Sequence, residues 1–348
     1  MRSLTIDGVS ITEDGPAYCI AEVGHNHQGS VEKATLLFAS AKKAGFHAVK
    51  VQKRDNKLLY TEAMFNSPYN SEAAFGATYG AHREALELDR DAYLLLQDNA
   101  RKMGVSFFAT AFDPNSAEFL YRLGMPAYKA ASGDLKNIKL LKLLASYGKP
   151  LIISTAGAFL DDVKRAYDAI MPINNQLAIL QCTAQYPCGA DNLHLRVIET
   201  YLDEFPDVIV GLSDHHARTA MAVAAYALGA RIFEKHVTLD RTWKGTDHAM
   251  SLEPHEQEQY VSDLRRAALA MGSPIKRPLA CEEKPMYKMG KGVYANDFLE
   301  AGEELSSLVT SIKSPAQGMA PWKLDRFSGK SLRRDVSSEE PLSSGDVE

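Results

Sequence analysis

Short apolar runs rich in β-branched residues recur along this chain and alternate with amphipathic stretches of helical period. The runs are YCIAEVG at 18–24, AVKVQ at 48–52, VSFFATAF at 105–112, AYKAAS at 127–132, PLIIST at 150–155, LAILQCTA at 177–184, VIVGLS at 208–213 and RIFEKHVT at 231–238. SVEKATLLFASAKKAG at 30–45 and PNSAEFLYRLG at 114–124 are typical of the helices between them. Gly45, Gly104, Gly124, Gly148 and Gly229 fall where helices should stop. Eight strands alternating with helices over about 250 residues predict an α/β protein, a (β/α)8 TIM barrel. An open doubly wound sheet is the alternative, but GHNHQG after the first run does not match its Gly-rich first turn.

The pattern weakens twice. Residues 53–91 hold no clear strand, and a loop of that length on a barrel predicts a substrate-covering excursion. After about residue 270 the chain becomes rich in Pro, Gly and Lys. The expected organisation is a barrel over 1–272, a linker over 273–287, and a small loop-rich β module over 288–348.

Composition narrows the function classes. The 348 residues are 45% hydrophobic, enough for a substantial core, and the formal net charge of -5 argues against general nucleic-acid binding. The start, MRSLTIDGVSITEDG, has no apolar secretory segment, and no run is apolar enough to span a bilayer, so a cytoplasmic protein is expected. None of the four cysteines forms a CxxC pair; Cys19 and Cys182 read as core residues, and Cys188 as a thiol without an evident activating partner.

A barrel works at the C-terminal ends of its strands. There the sequence offers Glu22, Lys50, Gln52, Thr110, Lys129, Ser132, Asp134, Ser154, Thr183, Tyr186, Ser213, His215, Glu234 and His236. His215 and His236 end consecutive strands, so one rim carries both imidazoles, which can share a divalent metal. The lysines and hydroxyls suit a phosphate and a carboxylate. A carboxylate such as Glu22 in an apolar strand needs a cationic partner, and Lys50 or Lys129 can supply it. His25 and His27 read as loop residues, His216 points away from His215, and His248 reads as structural.

AEVGHNHQGS, AVKVQ, AYKAASGD, KPLIISTAGA, LQCTAQYP, GLSDH and EKHVTLDRTWKGTDHAMSLEP, in that order, resemble the sialic acid synthase family. The tail from about 288 resembles the antifreeze-like (SAF) domain that ends those proteins. The likeness runs over nearly the whole chain, and its TLD-TWKG-DH-SLEP run is closest to the animal-type members. It implies a nonulosonate synthase that condenses phosphoenolpyruvate with an N-acetylmannosamine-type aldose, free or 6-phosphorylated, and releases phosphate. It also implies site roles. Lys50, Thr110, Lys129, Ser132, Ser154 and Ser213 would bind phosphoenolpyruvate. Glu22, with Lys50 and Lys129, would serve catalysis. Gln52, Tyr186, Asp134 and Asp247 would meet the sugar. His215 and His236 would hold Mn2+ or Mg2+. A domain-swapped homodimer would place each small domain over the partner's barrel.

The chain departs from bacterial members at Ala184, where many have Asn, and at Asp134, where Glu is common. Where those members supply an arginine from the small domain, it reads Lys313-Ser314-Pro315. The aldose therefore stays open, with Lys53, Arg54, Lys57, His82 and Arg83 available in the long excursion for a 6-phosphate. Other nonulosonates are alternatives. A metal-dependent barrel hydrolase is a further one, although it would leave the lysine and serine ring without a use.

Overall fold

The computed structural model describes residues Met1 to Glu348 and divides into two compact units, Met1–Gly272 and Ser273–Glu348. The first begins with an antiparallel hairpin, β1 (Ser3–Ile6) and β2 (Val9–Thr12), turning at Asp7-Gly8. Leu4, Ile6 and Ile11 are buried in the main core, and Asp7 accepts a hydrogen bond from Ser106 Oγ at 2.8 Å. The hairpin thereby meets the N-terminal end of the barrel at the first residue of a strand.

Eight parallel strands close the barrel: β3 (Tyr18–Gly24), β4 (Ala48–Lys53), β5 (Ser106–Ala111), β6 (Tyr128–Ala130), β7 (Leu151–Ser154), β8 (Leu177–Cys182), β9 (Ile209–Asp214) and β10 (Ile232–His236), with β10 paired to β3. Their residues are buried on both faces apart from the end of β4, because the lumen is packed from within and helices cover the outside. Strand β6 is short because the chain turns into a 3-10 helix at Ser132–Asp134.

Helix α1 (Val31–Ala44) shows how sequence fixes an element's ends. Ser30 Oγ accepts from Lys33 N–H at the start, and Gly45 stops the helix at φ 93°, a left-handed conformation that costs glycine little. Three short helices follow β4: α2 (Asn56–Leu59), α3 (Glu62–Phe65) and α4 (Tyr79–Glu84). They make up the body of the excursion expected over 53–91. The outer ring continues with α5 (Arg90–Met103), α6 (Pro114–Arg122), α7 (Ile138–Ser146), α8 (Leu160–Ile170), α9 (Val197–Glu204), α10 (Ala220–Ala227) and α11 (Pro254–Met271).

The span 273–287 lies within the second unit. Within 273–287 a 3-10 turn at Ala280–Glu282 leads into α12 (Glu283–Met289), which is solvent-exposed. A two-stranded pair, β11 (Gly292–Ala295) and β12 (Thr310–Lys313), is joined by isolated bridges such as Leu299 to Val336, and one further turn of helix, α13 (Leu324–Phe327), follows. Its own core gathers Val293, Leu299, Leu305, Met319, Val336 and Leu342. No helix of the chain is long and apolar enough to cross a membrane.

Candidate active site

Parallel register decides which side chains share the lumen. Glu22 pairs with Lys50, Gln52 with Thr110, Thr110 with Lys129, Cys182 with Ser213, Ser213 with Glu234, and His236 with Glu22. Register partners project to the same face. These side chains therefore converge on one cavity of about 480 Å3 at the C-terminal end of the barrel. The strand-end residues singled out in the sequence all line it except Asp134 and Thr183, whose hydroxyl donates to the Asn192 carbonyl at 2.8 Å. Asp134 ends the 3-10 turn after β6 and is buried off the cavity wall. Burial raises its carboxyl pKa to about 6.

The floor is a closed network of charges. Lys50 Nζ lies 2.5 Å from Glu22 Oε2 and 3.5 Å from Glu234 Oε1, and donates to Thr110 Oγ1 at 2.7 Å. Gln52 donates to the other Glu22 oxygen at 2.6 Å. Lys129 donates to Ser154 Oγ at 2.7 Å and to the Ala130 carbonyl at 2.9 Å. Ser132 Oγ accepts from the Ala156 N–H at 3.0 Å. Burial holds Lys129 below the usual lysine range and Glu22 above the usual carboxylate range, Lys50 opposing the latter shift. Glu234 goes the other way: burial raises it, but Lys129 and Lys50 together bring it below its ordinary value. Gly24 stands beside this network at φ 54°, and a Cβ there would lie 3.2 Å from Glu22 Oε1.

The histidine pair forms one wall. The His215 and His236 ring centroids are 5.5 Å apart, and the Tyr186 ring packs tilted against His215 at 4.1 Å. His215 Nδ1 meets the Thr183 carbonyl at 2.8 Å. A carbonyl only accepts, so Nδ1 carries the proton and Nε2 keeps its lone pair. His236 Nδ1 is buried without a hydrogen-bond partner, and Asp247 Oδ2 lies 3.9 Å from it. These free imidazole nitrogens fit a divalent cation. No third histidine, cysteine or carboxylate completes a three-ligand group with them, so substrate and water would fill the remaining positions.

Behind the wall, Asp214 and Lys235 have the opposite parity and face outward, fully buried, as a 2.9 Å ion pair. Lys235 also donates to the His216 carbonyl, and Asp214 accepts from the His216 N–H at 2.8 Å. This pair ties down the segment that carries His215.

The model of the NeuB family matches residues 37–276. The chain belongs to the NeuB family. It is 37% identical over 328 residues to the N-acetylneuraminate-9-phosphate synthase of Homo sapiens, covering 94% of this chain and 91% of that one. It is 32% identical to the N,N'-diacetyllegionaminic acid synthase of Legionella pneumophila, covering 92% of each. The solved sialic acid synthetase of Leptospira borgpetersenii, in complex with citrate, superposes with a TM-score of 0.70 at 30% identity, over 82% of this chain and 95% of that one.

In this NeuB-family chain the cavity also takes in residues the strand-end reading left without a role. Glu234 and Cys182 are inward by the same period-two rule that nominates His236 and Ser213. Cys182 is thus more than core filling: its Sγ lies 3.8 Å from His215 Nδ1. Burial alone would raise its thiol, but the contacts with His215, Ser213 and Ser132 bring it below its usual value. His25, read as a loop residue, lines the mouth with Arg54 and Arg83 from the long excursion. Lys53, Lys57 and His82 do not reach the cavity; Lys53 is paired with Glu87 at 2.9 Å.

Proposed function

We propose that this protein condenses phosphoenolpyruvate with an N-acetylmannosamine-type aldose to give a nonulosonic acid and phosphate. The observation that carries the reading is the floor of the cavity. Two buried lysines, each with a hydroxyl partner, stand beside a buried carboxylate and under a pair of free imidazole nitrogens. That arrangement suits a small polyanion set against a carbonyl. The relatives named above, synthases of sialic and legionaminic acids, favour the same reaction class.

Lys50 and Lys129 would neutralise the phosphate and carboxylate of phosphoenolpyruvate. Thr110, Ser132, Ser154 and Ser213 would supply neutral hydrogen bonds around them. A divalent cation, Mn2+ or Mg2+, held by His215 and His236 would act as a Lewis acid toward the aldehyde. Gln52, Tyr186 and Asp247 line the same mouth and would orient the sugar. Carbon 3 of phosphoenolpyruvate attacks the aldehyde carbon, leaving positive charge at carbon 2. Glu22 stabilises that charge and handles the proton of the water that adds there. The adduct then loses phosphate by C–O cleavage. Asp134, off the wall, would act on the sugar only through the turn it ends.

The tail would be an antifreeze-like (SAF) domain that caps the barrel of a second copy, making a homodimer that works in the cytoplasm. Light scattering should then give twice the 38.3 kDa chain mass. A monomer would sink that part. The reaction itself is tested by phosphate release with Mn2+ present. Release must require both phosphoenolpyruvate and the aldose; release from either alone would overturn the synthase reading.

A further inference from the structure

The cavity holds a second set of cations, at its mouth. Arg54 follows β4 directly, roughly 13 Å further along the strand direction than Lys50 at about 3.3 Å per residue, and Arg83 comes from α4. Both line the cavity with His25 between them. Arg54 Nη1 lies 2.8 Å from His25 Nε2, and Arg83 Nη1 lies 3.3 Å from His25 Nδ1.

These contacts do not satisfy one another. A guanidinium only donates, and a neutral imidazole has one donor and one acceptor. Burial and the two arginines hold His25 well below its usual pKa, so it is neutral. If Nε2 accepts from Arg54 at the shorter distance, Nδ1 carries the proton. Arg83 Nη1 then faces an N–H, donor against donor. An acceptor is missing between them.

No acid fills the gap. The other side-chain partners are Gln52 Oε1 for Arg54, at 2.6 Å, and Tyr79 Oη for Arg83, at 2.8 and 3.0 Å. Glu87, whose field reaches Arg54, is taken by Lys53, and Asp247, whose field reaches Arg83, sits 3.9 Å from His236. Arg54 lies over the Phe112 ring at 3.7 Å and Arg83 Cζ lies 5.0 Å from the Tyr79 ring centroid, and the N–H groups not spent on Gln52 or Tyr79 remain for a ligand. Arg54 is only 7% exposed, and a buried cation without a counter-charge is costly.

We propose that Arg54, Arg83 and the His25 Nδ1–H seat the terminal phosphate of a 6-phosphorylated hexosamine and so select it over the free sugar. This rests on the synthase reading. The aldehyde end of the open-chain sugar must lie by the histidine pair, so carbon 6 is the end that reaches the mouth. Forked donors toward a tetrahedral oxyanion are the geometry in which arginine outperforms lysine.

The test compares kcat/KM for N-acetylmannosamine 6-phosphate and for N-acetylmannosamine, at saturating phosphoenolpyruvate and Mn2+, in the full chain and in Arg83→Gln. The native protein should prefer the phosphorylated sugar. The substitution should lower the ratio of the two values roughly ten- to a hundredfold, with the KM for phosphoenolpyruvate held. Arg83→Lys should recover only part of the ratio, and it serves as the reporter if Arg83→Gln does not fold. Native preference for the free sugar, or an equal loss with both sugars, overturns the phosphate seat while leaving the synthase reading intact. No release with either sugar in the native protein overturns both.

Discussion

At the floor of the cavity Lys50 sits against Glu22 and Glu234; at its mouth Arg54 and Arg83 sit against a neutral histidine. Both places gather cations, but at the mouth no acid is paired with Arg54 or Arg83, since Asp247 sits nearest His236. The floor is therefore organised before any substrate arrives, and its carboxylate is available for chemistry. The mouth is incomplete by one acceptor, which suits recognition. On the proposed reading, such a split, with catalysis on strands and selection on loops, would follow from where each residue type is cheapest to hold. Strand residues are fixed by register, whereas loop residues tolerate an unmet donor.

The sharpest way to break this comparison is Glu22→Gln. It removes the charge from the floor and keeps the shape and the Gln52 contact. Turnover should fall on the order of a thousandfold, while calorimetry still detects phosphoenolpyruvate binding. Surviving turnover would reassign Glu22 to a purely structural ion pair. Chelation comes next. If His215 and His236 hold a cation, EDTA should abolish phosphate release and added Mn2+ should restore it, with the folded content by circular dichroism unchanged. Release that ignores EDTA would leave the free imidazole nitrogens without their proposed use.

A third test concerns pH and the loop that follows β3. His27, 1% exposed, has its pKa lowered by burial from 6.5 to about 4, and its Nδ1 accepts from the Gly29 N–H at 3.0 Å. The unfolded chain takes up the proton near pH 6.5 and the folded chain only near 4. Its contribution is thus complete above pH 6.5 and is lost as pH falls through that window, by about 3 kcal/mol. Urea titrations across pH 4–6.5 should show stability dropping with acid, and His27→Gln should flatten the slope by about one proton. An unchanged slope would assign the acid sensitivity to other groups. The smallest expected effect is at Gly24. Gly24→Ala strains a left-handed residue, costing about 1 kcal/mol, and crowds Glu22, so thermal stability and kcat should both fall modestly. Normal kcat would show that Glu22 has room to move.

All eight barrel strands were legible from apolar runs, because a strand buried on both faces leaves a continuous signal. The opening hairpin was passed over, although Leu4, Ile6 and Ile11 alternate around an Asp7-Gly8 turn, itself a hairpin signal. The helix Glu283–Met289, which begins inside 273–287, was masked by Pro and Gly nearby. At the site, residues at strand ends were visible because register is simple. Glu234 was visible at the rim but without a role, and Cys182 read as core because a lone cysteine in an apolar run carries no chemical signal. His25, Arg54 and Arg83 come from separate loops, and only tertiary structure unites them. Arg54 and Arg83 were at least visible as cations in the excursion, but nothing local marks them off from Lys53 or Lys57.

The opening hairpin also governs traffic. It sits against the N-terminal end of a barrel whose interior is packed, so the lumen has one door, at the C-terminal rim. On the proposed reading, a molecule lodged on Lys50 and Lys129 would come in before one that occupies the mouth and would stay until the mouth clears. The queue is written into the architecture: compulsory order of entry, with the last arrival or its descendant leaving first.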